Sequence, residues 1–178
     1  GLAPLDLVAL FRQPAPDKQL IYIVQGRVNP RPRSWIPNLI LFVFTLFSVL
    51  LVGLDMAMSE IASVNRFEAE MIAQRGLIEL WRGFPYALSI LLILGAHELG
   101  HYFAARRHKI AVTLPYFLPF PSGLFGTFGA FIQLRQPIRN RKMLLEIGAA
   151  GPLAGLVFAI PILLIGLATS QVGPPSVG

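Results

Sequence analysis

The residues best suited to chemistry lie together at His97-Glu98-Leu99-Gly100-His101. An H-E-x-x-H pentapeptide on a helix sets two imidazoles at i and i+4, on one face, one above the other. Both can then ligate one zinc ion, while the carboxylate beside the first histidine takes a proton from an activated water. The surrounding run, LLILGAHELGHYFAARRHK over residues 91–109, is otherwise oily until its basic end. Ionisable groups in such a run are expensive unless they are paired, hydrated or metal-bound. The competing reading packs the histidines at a helix end near the interface and pairs Glu98 with Arg106 or Arg107.

A zinc site needs a third protein ligand. His108 lies about 10 Å further along a continuing helix than His101. It also misses the metzincin spacing, with Ala104 where that motif has glycine, so it reads as part of a basic interface. Asp55 is expected at the far side of the membrane. Glu146 is on the correct side but better placed to stabilise the N-terminus of a third helix. The chain therefore offers Glu98 as candidate catalytic base and His97 and His101 as candidate metal ligands, with no convincing third.

The elements that must position these residues are membrane helices. The 178 residues are 54% hydrophobic and 13% charged, with a mean hydropathy of +0.63. A soluble domain carries nearer a quarter charged residues. With no cysteine, disulfides and thiolate metal sites are excluded. The net charge of +6 does not indicate a nucleic-acid binder. Its lysines and arginines sit at the ends of apolar runs instead of clustering on one face with aromatics.

Three stretches are long and apolar enough to span: 35–54, 84–105 and 147–168, the last with Pro161 as an expected kink. Trp35 anchors the first at the interface, and Pro37 is tolerable in its first turn. Arg27, Arg31 and Arg33 precede the first span, and Arg106, Arg107 and Lys109 follow the second. Arg135, Arg139, Arg141 and Lys142 precede the third. In the 55–83 connection acids outnumber bases. The positive-inside rule then puts the N-terminus and residues 106–146 in the cytoplasm, with 55–83 outside as an amphipathic surface segment. In the N-terminal 1–34, QLIYIVQGRV alternates well enough for a short strand.

Residues 113–134 are as apolar as the spans, yet Pro115, Pro119, Pro121, Gly123, Gly126 and Gly129 forbid a continuous helix. With basic clusters on both sides, the segment is expected to enter the membrane and return as a β-like hairpin lining a cavity. The third span opens GAAGPLAG, in which Gly151 and Gly155 form a G-x-x-x-G. Such a small face lets membrane helices approach closely, and it is expected to pack on the helix carrying His97 and His101. The fold class is all-α and polytopic: three transmembrane helices plus a re-entrant hairpin.

HELGHYFAARRHKI, GLFGTFGAFIQLR and AAGPLAG, in that order, resemble the site-2 protease family of intramembrane zinc metalloproteases, peptidase family M50. The resemblance covers roughly residues 84–170, and GTFGAFIQL looks most like the bacterial and chloroplast branch related to the EGY-type proteases. It implies a zinc ion on His97 and His101 with Glu98 as general base. It also implies a substrate strand added along Gly126, Thr127, Phe128, Gly129 and Ala130, with Gly151, Pro152 and Gly155 packing near the site. The family's third ligand is an Asp-Gly aspartate on a later helix, so this chain is expected to be a piece of a longer protein, with 84–178 a partial protease core. The expected function is hydrolysis of membrane-embedded proteins, in a bacterial plasma membrane or a thylakoid or plastid membrane. Partners would be transmembrane protein substrates, membrane lipid and other membrane subunits. The alternatives are a non-catalytic subunit or assembly factor on the same scaffold and, further off, a metal-handling membrane protein.

Overall fold

A computed structural model of the chain describes residues 7–15, 18–25, 34–138 and 140–170. Two strands, β1 (Leu7–Ala15) and β2 (Lys18–Gln25), form an antiparallel hairpin. The alternation in QLIYIVQGRV is thus realised as β2, while its last residues, 26–28, lie outside the described residues. So do Arg27, Arg31, Arg33 and Arg139.

Three helices are long and apolar enough to cross a membrane. The first, α1 (Ile36–Val64), runs 29 residues, roughly 43 Å at 1.5 Å per residue. That exceeds a hydrocarbon core of about 30 Å, so the helix outlasts its apolar stretch by about ten residues. Asn65 ends it, in extended conformation, and its side chain caps α2 (Arg66–Arg75) by accepting from the Glu68 N–H. A 3₁₀ stretch, Gly76–Gly83, leads into α3 (Phe84–Arg107). Within it Glu79 is buried and ion-paired to Arg82 at 2.7 Å and Arg75 at 3.2 Å. The 55–83 segment is therefore helical almost throughout. The last helix, α4 (Arg141–Thr169), starts six residues before its apolar run and continues through Pro152 and Pro161.

Between α3 and α4 the chain forms a second antiparallel hairpin, β3 (Tyr116–Pro119) with β4 (Thr127–Phe131). Its base extends through a Val112–Leu134 bridge and the Arg135 N–H to the Ala111 carbonyl at 2.8 Å. Its tip reaches the opposite end of α3, where the Tyr86 hydroxyl donates to the Leu124 carbonyl at 3.2 Å. The hairpin thus runs along most of the length of α3.

A polar stripe on α1 seats it. Asn38, Thr45 and Ser48 are buried on that helix with Val49 and Gly53. Asn38 Nδ2 donates to the carbonyls of Leu114 and Pro115, at 2.8 and 2.9 Å. Ser48 Oγ donates to the Gly126 carbonyl at 2.6 Å. A proline-rich segment cannot satisfy its carbonyls by helix formation, and in an apolar setting each unmet one is costly. Asn38→Ala removes two such bonds at once. The expected loss is about 1–3 kcal/mol, read as a lower unfolding temperature in detergent together with faster proteolysis within 113–126.

Close backbone approaches fix the helices. A Cβ on Gly53 would lie 2.6 Å from the Gly83 carbonyl oxygen, which brings the 3₁₀ stretch onto α1. A Cβ on Gly100 would overlap the Ala150 carbonyl and lie 2.8 Å from Ala154 Cβ, so α3 and α4 touch through small residues. Ala105, Ile110 and Ile147 close the far end of that contact as a buried cluster, with Val112, Leu134 and Met143 around it.

Candidate metal centre

His97 and His101 project from consecutive turns of α3, as their spacing requires. Their Nε2 atoms face each other at 3.1 Å, with the ring centroids 4.8 Å apart. That separation suits a shared zinc ion. Two imidazole nitrogens bound at 2.0–2.1 Å in tetrahedral geometry stand about 3.3 Å apart. The pair therefore fits as two members of a ligand set with almost no movement. Among the described residues, no three His, Cys, Asp or Glu side chains come together.

Glu98 is 6% exposed, and its carboxylate is met by the Ile132 backbone N–H at the end of β4. No lysine or arginine pairs with it among the described residues. Arg106 instead lies over the Tyr102 ring, 5.9 Å from its centroid. The ion-pair explanation of Glu98 thus has no geometric support. The carboxylate sits between the histidines' helix and the hairpin.

The β4 residues occupy varied positions. Gly126 forms the turn before the strand at φ +72°, against Val49 of α1. Thr127 Oγ1 donates to the Leu118 carbonyl at 2.7 Å and accepts from the Gly129 N–H at 3.0 Å. Phe128 is exposed and stacks on Phe120, with centroids 3.9 Å apart. Ala130 pairs with Phe117, and among the described residues β4 has β3 as its only strand neighbour.

From α4, Gly151 and Gly155 face the histidines: a Cβ on Gly151 would overlap the His101 ring, and one on Gly155 would lie 3.5 Å from His97 Cβ. Pro152 is exposed and does not join this face. One expectation needs correction. Glu146 does not cap α4, because the helix begins at Arg141 and its N-cap is Asn140, whose side chain accepts from the Met143 N–H at 2.8 Å. Glu146 instead pairs with His108 Nε2 at 2.6 Å, with Lys142 at 3.9 Å. His108, the C-cap of α3, thereby ties α3 to α4.

Reasoning from sequence missed three contributors: Asn38, Ser48 and the Ile147 carbonyl, which receives His101 Nδ1 at 2.7 Å. The only advance signal for the first two was their polarity inside an apolar span. A main-chain carbonyl gives none.

The model of peptidase family M50 matches residues 85–176, and the chain belongs to that family. It is 30% identical over 177 residues to a protein named probable zinc metalloprotease EGY2, chloroplastic, of Arabidopsis thaliana, covering 95% of this chain and 28% of that one. The protein of the same name from Oryza sativa subsp. indica is 32% identical over 174 residues, covering 95% and 29%. Probable zinc metalloprotease EGY1, chloroplastic, of Arabidopsis thaliana is 32% identical over 147 residues, covering 75% and 25%. The chain thus spans less than a third of the length of these curated relatives. No solved structure matches it.

Proposed function

We propose that this chain carries the metal-binding half of an intramembrane zinc endopeptidase of the site-2 type. The observation that carries the reading is the pair of imidazole Nε2 atoms 3.1 Å apart with buried Glu98 beside them. The relatives' names as zinc metalloproteases support it. His97 and His101 would hold the ion together with a third ligand from outside the described residues. Zinc, when bound, supplies Lewis acidity that lowers the pKa of a water and polarises a carbonyl. Glu98 takes the proton from the attacking water and passes it to the departing amine. Its carboxylate lies by the Ile132 N–H, on the hairpin side of the site.

The hairpin would re-enter the membrane and present residues 126–130 of β4 to an unwound stretch of substrate. Strand addition uses main-chain hydrogen bonds and so tolerates varied sequences. The substrate has to unwind first, because a helix ties up its own peptide groups. The expected substrates are transmembrane proteins, in a plastid or thylakoid membrane or in a bacterial plasma membrane; the word chloroplastic in the relatives' names supports the first. The basic end near Arg106 and Arg107 would face the cytoplasmic side, where water reaches His101 by a short path.

The intact protein is expected to hold about one zinc per molecule, as a single three-ligand site requires. His101→Ala should empty it and stop cleavage of a reconstituted single-span substrate. Metal analysis and a gel-based cleavage assay check both. A His101→Ala protein with full zinc and full activity would place the metal elsewhere.

A further inference from the structure

The contact between α3 and α4 is more specific than small-residue packing. In a simple close-packed face, every glycine is there to let backbones approach. At Gly100 that holds, since a Cβ would run into Ala150 backbone and Ala154. At Gly151 the three atoms a Cβ would meet first are all in the His101 ring. One turn earlier on α4, the Ile147 carbonyl lies 2.7 Å from His101 Nδ1, and Ile147 is itself buried at 5% exposure. The imidazole is therefore seated in a notch made by Gly151 and tied to the helix wall by Ile147.

We propose that α4 is a positioning element for the metal pair. It holds His101 in one orientation and one tautomer, with Nδ1 protonated and Nε2 presented. The assignment follows from hydrogen-bond accounting. A backbone carbonyl only accepts, so Nδ1 of His101 must be the donor and its Nε2 carries a lone pair. His97 has no such seat: a Cβ on Gly155 would stand an unstrained 3.6 Å from its Nδ1, so α4 does not grip that ring.

Gly151 and Ile147 are positioning residues, and this inference rests on the zinc reading above for its use but not for its geometry. A methyl at position 151 presses on the end of a side chain and not on backbone. The ring should therefore swing and lose its bond to Ile147 while the helices stay packed. A partner that orients a metal-binding histidine is typically worth about 10–100-fold in metal affinity.

The test uses zinc and cobalt(II) titrations of the intact detergent-solubilised protein, beside nitrogen-15 spectra of the histidine-labelled, metal-free form. Gly151→Ala is expected to weaken metal binding about 10–100-fold. Gly155→Ala, in ordinary contact, and Gly148→Ala, with nothing within 4 Å, should leave affinity near the wild-type value. The spectra should show His101 protonated at Nδ1. Equal losses at 151 and 155 would reduce the contact to generic packing, and an Nε2-protonated His101 would overturn the proposal even if Gly151→Ala failed to fold. A wild-type protein that binds no metal but shows His101 protonated at Nδ1 would sink the zinc reading and leave the positioning intact.

Discussion

Glu98→Gln in the intact protein is expected to slow peptide-bond hydrolysis by about 10²–10⁴-fold, the usual contribution of a positioned acid–base group, with zinc content unchanged. The substitution is close to isosteric. Glutamine keeps an oxygen to receive the Ile132 N–H, so the link between α3 and the end of β4 should survive. No ion pair is lost, because Glu98 has no lysine or arginine partner among the described residues. The amide simply cannot take up a proton from water. Nor should the site lose metal, since the nitrogens assigned to zinc belong to His97 and His101. Two measurements on one preparation decide it: zinc content, and cleavage of a single-span substrate in proteoliposomes. A variant cleaving at the wild-type rate removes Glu98 from the mechanism. One that loses both zinc and activity makes Glu98 a ligand or a structural group.

The placement of the candidate site was legible in the sequence because it is local. His97, Glu98 and His101 lie within two helical turns, and the i, i+4 geometry follows from helix dimensions alone. The Gly151–Gly155 face was legible as a surface, though only coordinates show that one glycine receives a ring and the other ordinary contact. Hydropathy located the spans but not the helix ends. Apolarity measures what the membrane tolerates, whereas a helix continues until a cap or breaker stops it. Thus α1 runs on to Val64 and stops at Asn65, and α4 starts at Arg141 behind the Asn140 cap. Glu146 was misplaced for that reason. The seat of the hairpin was legible only as two polar residues in an apolar span, without their partners. It depends on Asn38 and Ser48 meeting carbonyls 76 to 78 positions away, and no periodicity encodes a pairing at that separation.

That seat makes Gly126 the second position of large effect. Gly126→Ala is expected to cost about 2–5 kcal/mol, combining left-handed backbone strain of about 1–2 with overpacking of about 1–3. At φ +72° an L side chain is already disfavoured. Its Cβ would also lie 2.7 Å from Val49 Cα and 2.9 Å from the Ser48 carbonyl oxygen, and backbone cannot give way as a side chain can. The Ser48 bond to the Gly126 carbonyl would be pushed out of reach with the tip, and Thr127 through Ala130 would shift with it. Two controls separate the contributions. Gly76, at φ +57° with nothing within 4 Å, and Gly129, at φ +105° with equal room, carry strain without the clash. Gly76→Ala should therefore cost about 1–2 kcal/mol and spare cleavage, since it lies outside the hairpin. Gly129→Ala should destabilise equally little but act on the strand assigned to substrate. Unfolding temperatures in detergent give the order, and zinc content should be constant across the three because the metal pair sits on α3. If Gly126→Ala is no less stable than Gly76→Ala, the tip does not rest on Val49. If it is much less stable yet cleaves normally at low temperature, the position of β4 does not govern how substrate reaches Glu98.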